Sequence, residues 1–332
     1  MQQHATTPVP LPMYFGDFGG IFVPDAFTPD FFDFARFAGA CLPGAEFSAC
    51  LRSMVAGLPP VRTEKATINA LHVEIARSQA LFYMVAGHLA LAKLRGSTFH
   101  YLGAEQGEIA LFAARLCREN GMHCHITLSS ALSQDTQLKE TLSALGAEWD
   151  GETCEKLYDR PQAYAFQRYL GDRAGSGFIP VGANLGAYPY PALSGYFGGL
   201  WGARLRAALS ELPDTVAATM LHGNAAVAAF RAFPDLCRAT VERPVCQQYH
   251  GEFCGCSLLM ARTADSRKYA ATLAPELTNL WRMAQVVRLG AEDYCEVPAP
   301  DGIRAETARA ADIISRRLPE ARRVLIVEGE NE

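Results

Sequence analysis

Between Leu71 and Ala114 the chain reads LHVEIARSQALFYMVAGHLALAKLRGSTFHYLGAEQGEIALFAA, and the order of signals in this stretch leaves few folds open. The spacing predicts a helix from about Ser78 to Leu94, closed by Gly96. A short strand follows from Thr98 to Leu102, then a glycine-containing turn that opens a second helix near Gln106. A helix-strand-loop-helix unit of this kind collects polar groups at the carboxyl end of a strand, where open α/β sheets bind their ligands.

The rest of the chain keeps the same rhythm. Asp30 to Phe37 and Ala45 to Ala56 read as helices, and Leu58-Pro59-Pro60 marks a boundary. After the central unit come a strand His123 to Leu128, a helix Asp135 to Leu145 and a strand near Ala147 to Trp149. Then follow a strand from Ile179 to Gly182, a helix from about Ala192 to Ser210, a strand Val216 to Leu221 and a helix to Phe230. Glu306 to Leu318 is a helix and Arg323 to Val327 a last strand. Strands and helices alternating at short spacing produce a parallel, doubly wound α/β sheet.

Composition narrows the partners. With 332 residues, 49% of them hydrophobic and 20% charged, the chain can bury a sizeable core, and its length favours two domains. A net charge of -5, with no basic cluster, gives no support for nucleic acid or an anionic membrane surface, so the default ligand is a small molecule. The amino terminus lacks the basic and apolar regions of an export signal, and the longest apolar run, around Leu81 to Leu94, is broken by Gly87, His88 and Lys93. Ten scattered cysteines suit the reduced thiols of a cytoplasm.

Four stretches carry a resemblance. MYFGDFGGIFVPD (Met13 to Asp25) resembles the amino-terminal signature of the tryptophan synthase β subunit, and LALAKLRGS, ALGAEW and GANLGAYPYP resemble three further landmarks of that family, in its order. The similarity runs over most of the chain and thins from Pro244 to Ala299. It implies the fold type II architecture of pyridoxal-phosphate enzymes, with two doubly wound α/β domains and an active site in the cleft between them. The expected division is residues 1–195 and 196–332, with part of 53–79 packing with the second domain. The resemblance also implies a homodimer or a partner subunit.

The departures from that pattern matter most. Counting back from Gly96, the family's His-Lys pair, whose lysine forms the Schiff base, falls on Ala80 and Leu81, and no lysine lies between Lys65 and Lys93. An imine to pyridoxal phosphate needs a primary amine. The glycine-rich phosphate loop reads Leu221, His222, Gly223, Asn224, Ala225, and the stretch that receives the pyridine nitrogen reads Glu328-Gly329-Glu330. One glycine leaves little room for backbone N–H groups to converge on a phosphate. The expectation is a protein that uses no pyridoxal phosphate and no other cofactor. A lysine elsewhere, such as Lys93, lies over three helical turns from the required place.

The family's substrate-carboxylate loop corresponds to Leu102 through Glu108, and its catalytic glutamate is replaced by Tyr101. Glu105 and Glu108, spaced i and i+3 on a first helical turn, are expected to share a face and to suit proton transfer near neutral pH. The plain alternative is ordinary helix-start capping. Glu105 ranks first because it occupies the loop itself. Arg77 could hold a substrate carboxylate bidentately, or make a helix-start salt bridge. His88 and His100 are core histidines or pocket residues, and Tyr101, Tyr188 and His222 are placed as pocket lining. Cys246, His250, Cys254 and Cys256 form C-x3-H-x3-C-x-C, which lacks the paired knuckles of a zinc site, so no metal is expected.

A tryptophan-synthase-like cleft that has exchanged its cofactor for acids is similar in kind to the bacterial marinacarboline-type Pictet–Spenglerases, which combine a pyridoxal-enzyme-like fold with a pocket glutamate and no pyridoxal phosphate. That similarity implies condensation of L-tryptophan or a related amine with an aldehyde, and cyclisation to a β-carboline scaffold for alkaloid biosynthesis. The alternative is a pseudoenzyme that keeps the fold to regulate a partner.

Overall fold

The computed structural model describes residues 7–16, 18–21, 23–151, 161–172, 175–180, 187–219, 223–233, 237–241, 286–288, 299 and 302–329. In chain order the described elements are β1 (Tyr14–Phe15), β2 (Phe18–Gly19), α1 (Thr28–Cys41), α2 (Ala45–Val55), β3 (Thr63–Ile68), β4 (Leu71–Arg77), α3 (Ala80–Arg95), β5 (Phe99–Ala104) and α4 (Gly107–Glu119). There follow β6 (His123–Leu128), α5 (Thr136–Ala144), β7 (Glu148–Gly151), α6 (Pro161–Gly171), β8 (Ser176–Ile179), α7 (Tyr190–Ala208) and β9 (Thr215–Thr219). The last are α8 (Gly223–Arg231), β10 (Cys237–Val241), β11 (Val286–Arg288), α9 (Ala305–Arg317) and β12 (Arg323–Glu328). They fall into two compact units. The first comprises Met1–Met13, Gly20–Leu58 and Leu81–Ser194, and the second Tyr14–Gly19, Pro59–Ala80 and Gly195–Glu332.

The first unit is built on a parallel sheet of strand order β7-β6-β5-β8. Each connection from β5 to β8 passes through a helix, as parallel pairing requires. Two local devices set the helix ends. α3 stops in a Schellman turn, with Gly96 at φ +79 and Ser97 N–H donating to the Ala92 carbonyl at 3.0 Å, while α5 starts on Asp135, whose carboxylate accepts from Leu138 N–H at 3.0 Å. On one side of the sheet lies an aromatic layer. Phe31 of α1, 2% exposed, meets Phe166, Tyr169 and Tyr190 edge-on at centroid distances of 6.0, 6.4 and 5.9 Å.

The second unit carries a six-stranded sheet of order β11-β10-β9-β12-β4-β3, parallel except for the edge strand β3. Leu71, Val73 and Ile75 of β4 and Val324 and Ile326 of β12 pack against Ala310, Ala311 and Ile314 of α9. The alternation that buries one side of β4 leaves His72 exposed on the other.

Most differences from the sequence reading are element ends. The helix expected from Ser78 begins at Ala80. Ser78 N–H donates to the Glu328 carbonyl at 2.9 Å, which keeps it in the strand ladder, and its hydroxyl accepts from Ala80 N–H at 3.2 Å. The strand expected at Ile179 to Gly182 lies earlier, at Ser176–Ile179. The β3–β4 hairpin was not read from the sequence at all. Its turn residues Asn69 and Ala70 have φ of 48 and 65, the left-handed pair of a two-residue hairpin turn, and Ala70 lacks the usual glycine signal. Relieving that position should help. Ala70→Gly is expected to raise stability by about 0.5 kcal/mol, after the entropic cost of glycine, seen as a higher urea midpoint at unchanged slope.

Candidate functional site

At the carboxyl end of β5 the chain turns through Glu105 and Gln106 into α4. Gln106 is the N-cap, extended at φ -130 and ψ 128, and its carbonyl accepts the first helical bond from Ala110 N–H at 3.2 Å. The Gln106 amide oxygen is buried with no hydrogen-bond partner among the described residues, an unmet polar group that the sequence reading did not single out. Its signal was a lone glutamine before a helix-opening glycine. Glu105 is half-buried in the loop. Glu108 is exposed in the first turn of α4, where an acid complements the helix dipole. The expectation of two acids sharing one helical face is therefore corrected: Glu105 precedes the N-cap, so the i, i+3 rule does not apply to the pair.

At the carboxyl end of β4 stands Arg77, exposed and in register with Glu328 of β12. Three residues on, Ala80 and Leu81 occupy the first turn of α3 and are 0% and 3% exposed. Glu328, 4% exposed, turns toward α9. It accepts from the Thr307 hydroxyl and lies 3.6 Å from the Arg304 guanidinium, which also donates to the Gly329 carbonyl at 3.3 Å. A carboxylate at the start of a helix, with an arginine beside it, is satisfied from within the chain.

The other named residues sit deeper. His88, 3% exposed, is in the middle of α3 with its ring 5.8 Å from that of Tyr190, and His100, 0% exposed, is in β5 against Gly177. Burial pulls His88 down to about 3. His100 falls to about 4 for the same reason, against an opposing pull from the Ser97 backbone. Both imidazoles are neutral at physiological pH. Below pH 6.5 the unfolded chain takes up protons that these folded rings refuse, so stability falls as the pH drops from about 6.5 toward 4. Each ring adds a slope of about 1.4 kcal/mol per pH unit. Urea unfolding at about pH 5 and about pH 7 checks this, with the higher midpoint expected at pH 7.

Tyr101, expected to line the pocket, belongs to the aromatic core of the first unit, 8% exposed. Its hydroxyl donates to Asp172 at 2.9 Å, just beyond the last residue of α6, and burial together with that carboxylate pushes it up to about 12. The side chain thus reaches back toward the start of β8, because strand alternation and the Asp172 acceptor hold it there. Tyr188 is half-buried, its N–H donating to the Ile21 carbonyl at 3.1 Å and its ring 5.5 Å from Phe32. His222 lies outside the described residues, as do the rest of the loop before α8 and Cys246, His250, Cys254 and Cys256. Among the described residues no group of three or more histidines, cysteines or acids could hold a metal, and no helix is long and apolar enough to cross a membrane.

Among the described residues, the positions that the resemblance gives to the Schiff-base pair carry no amine. The first turn of α3 offers two buried apolar side chains and no amine. The described lysines are engaged elsewhere: Lys65 donates to Ser210 at 2.7 Å, Lys93 to Asn120 at 2.8 Å, and Lys139 lies 5.5 Å over Trp149. Lys156 and Lys268 are outside the described residues.

No protein-family model matches the chain, and no curated protein does. Among solved structures, a fungal L-serine ammonia-lyase from Rhizomucor miehei is similar over 80% of this chain and 94% of its own, at a TM-score of 0.54 and 12% identity. An O-ureido-L-serine synthase is similar over 86% of this chain and 90% of its own, also at a TM-score of 0.54 and 12% identity. At that identity the likeness is one of fold. The architecture is α/β, the fold that these two structures share.

Proposed function

We propose that this chain is an enzyme that works on an amino acid without pyridoxal phosphate, joining L-tryptophan or a related amine to an aldehyde and closing a β-carboline ring. The observation that carries the reading is the exchange at the two strand ends. By the resemblance, buried Ala80 and Leu81 take the positions of the family's His-Lys pair, and a half-buried acid, Glu105, stands in the loop after β5. The two solved structures named above are of enzymes named for L-serine and O-ureido-L-serine, which supports an amino-acid substrate.

The chemistry needs no electron sink. The substrate amine adds to the aldehyde and loses water to give an iminium ion, whose carbon is attacked by indole C2 to form the new C–C bond. A carboxylate then takes the C2 proton and restores the aromatic ring. In this reading Glu105 is that base and Arg77 anchors the substrate carboxylate. Orientation and electrostatic stabilisation of the iminium supply the remaining acceleration.

The test is incubation of the purified protein with L-tryptophan and an α-ketoaldehyde, read by mass spectrometry. A tetrahydro-β-carboline mass is expected. Absence of product with every indole amine tried would sink the proposal.

A further inference from the structure

The second unit contains a groove of about 460 Å³ that belongs to neither strand end described above. Its floor is the side of the sheet opposite α9. Strand register places Thr67, His72 and Arg323 in one row across β3, β4 and β12, and Lys65 and Glu74 in the next. The far wall is the segment after α7, Ser210 to Pro213. The groove lies at the amino-terminal end of β12: Arg323 opens that strand and Glu328 closes it, about 16 Å further on.

The lining is polar and held in place. Lys65 donates to Ser210 at 2.7 Å, Arg323 to Glu211 at 2.8 Å, and the Thr63 hydroxyl donates to Glu74 at 2.6 Å. Asp214 accepts from the backbone N–H groups of Arg322 and Arg323, both at 2.9 Å, which fixes the start of β12 beneath the groove. These bonds use one of the three donors of Lys65 and one of the five of Arg323, and Glu74 and Glu211 keep acceptor capacity.

Charge balance selects the ligand. Two cations face two carboxylates, so the groove has no net attraction for a phosphate or nucleotide, and its mixed lining does not suit a purely apolar molecule. We propose that this groove binds a small zwitterion of the α-amino-acid class. Lys65 and Arg323 meet its carboxylate, Glu74 and Glu211 meet its ammonium, and the volume accommodates a side chain as large as indole. The site is independent of the reaction proposed above.

The experiment follows the His72 ring by ¹H–¹³C NMR in the full-length protein, titrated separately with L-tryptophan, L-serine, tryptamine and indole-3-propionate. The amino acids should move the His72 signals saturably, whereas the two singly charged analogues should bind about tenfold more weakly or less. Arg323→Gln and Lys65→Gln, both at exposed positions, should each weaken the response about tenfold without moving the unfolding midpoint. Glu105→Gln should leave it unchanged, so a failure of the cyclisation reading and a failure here are told apart. No movement of the ring up to roughly 10 mM of either amino acid overturns the site. Equal binding of indole-3-propionate overturns it as well, because that marks a simple anion site.

Discussion

Replacing Glu105 by glutamine is expected to lower β-carboline formation by about 10²–10⁴-fold while leaving the fold intact. Glutamine keeps the volume of the side chain and its capacity to hydrogen-bond in the loop, but it cannot take the C2 proton once the new bond has formed. The step it disables is a proton transfer, so binding should change little and the loss should appear in kcat. Glu108→Gln is the control. That residue is exposed in the first turn of α4, and its loss should cost about 0.5 kcal/mol of helix-dipole stabilisation and no more than a few-fold in rate. Equal losses in the two variants would remove Glu105 from its role.

The second large effect is structural. A Cβ at Gly103 would lie 2.2 Å from Gln162 N and 2.3 Å from the Pro161 carbonyl carbon, both backbone atoms at the start of α6. Neither can rotate away as a side-chain tip would, so α6 or β5 must shift. Gly103→Ala should therefore destabilise the protein by about 3 kcal/mol or more, at the upper end of what overpacking a core costs. Two residues later the strand delivers Glu105, so the folded fraction should also turn over poorly. A midpoint within error of the parent would show that the helix and strand are less closely packed than this geometry states. Gly107 supplies the contrast. The nearest atom to a Cβ there is a Leu138 methyl at 3.6 Å, and alanine should be tolerated sterically.

Where the reading of the sequence succeeded, the signal was local. β6 occupies His123–Leu128, the bounds its apolar run marks, and Gly96 ends α3 because only a residue without Cβ takes a φ of +79 at little cost. Where it failed, the missing partner was distant. The helix read as opening near Gln106 does begin there, but the i, i+3 spacing suggested a shared face for Glu105 and Glu108 that the extended backbone of Gln106 rules out. Tyr101 sits beside the loop in sequence, but its orientation is set by Asp172, 71 residues away. The β3–β4 turn, Asn69-Ala70, gives a reader no glycine to find, and the hairpin is instead secured by core packing and by the Asn69 amide donating to Asp312 at 2.8 Å.

The sequence alone therefore determined the alternation of strands and helices and the absence of an amine at position 81. The first rests on periodicity, which any window of the chain carries. The second is covalent, and no packing can turn a leucine into a nucleophile. Tertiary structure decided which polar groups stay in reach of a ligand. It buried His88 and His100 as neutral rings, turned Glu328 to the start of α9, drew Tyr101 into an aromatic core and left Glu105 half-open in its loop. Burial and hydrogen-bond partnership are properties of residues far apart in the chain, and only the folded arrangement brings those residues together.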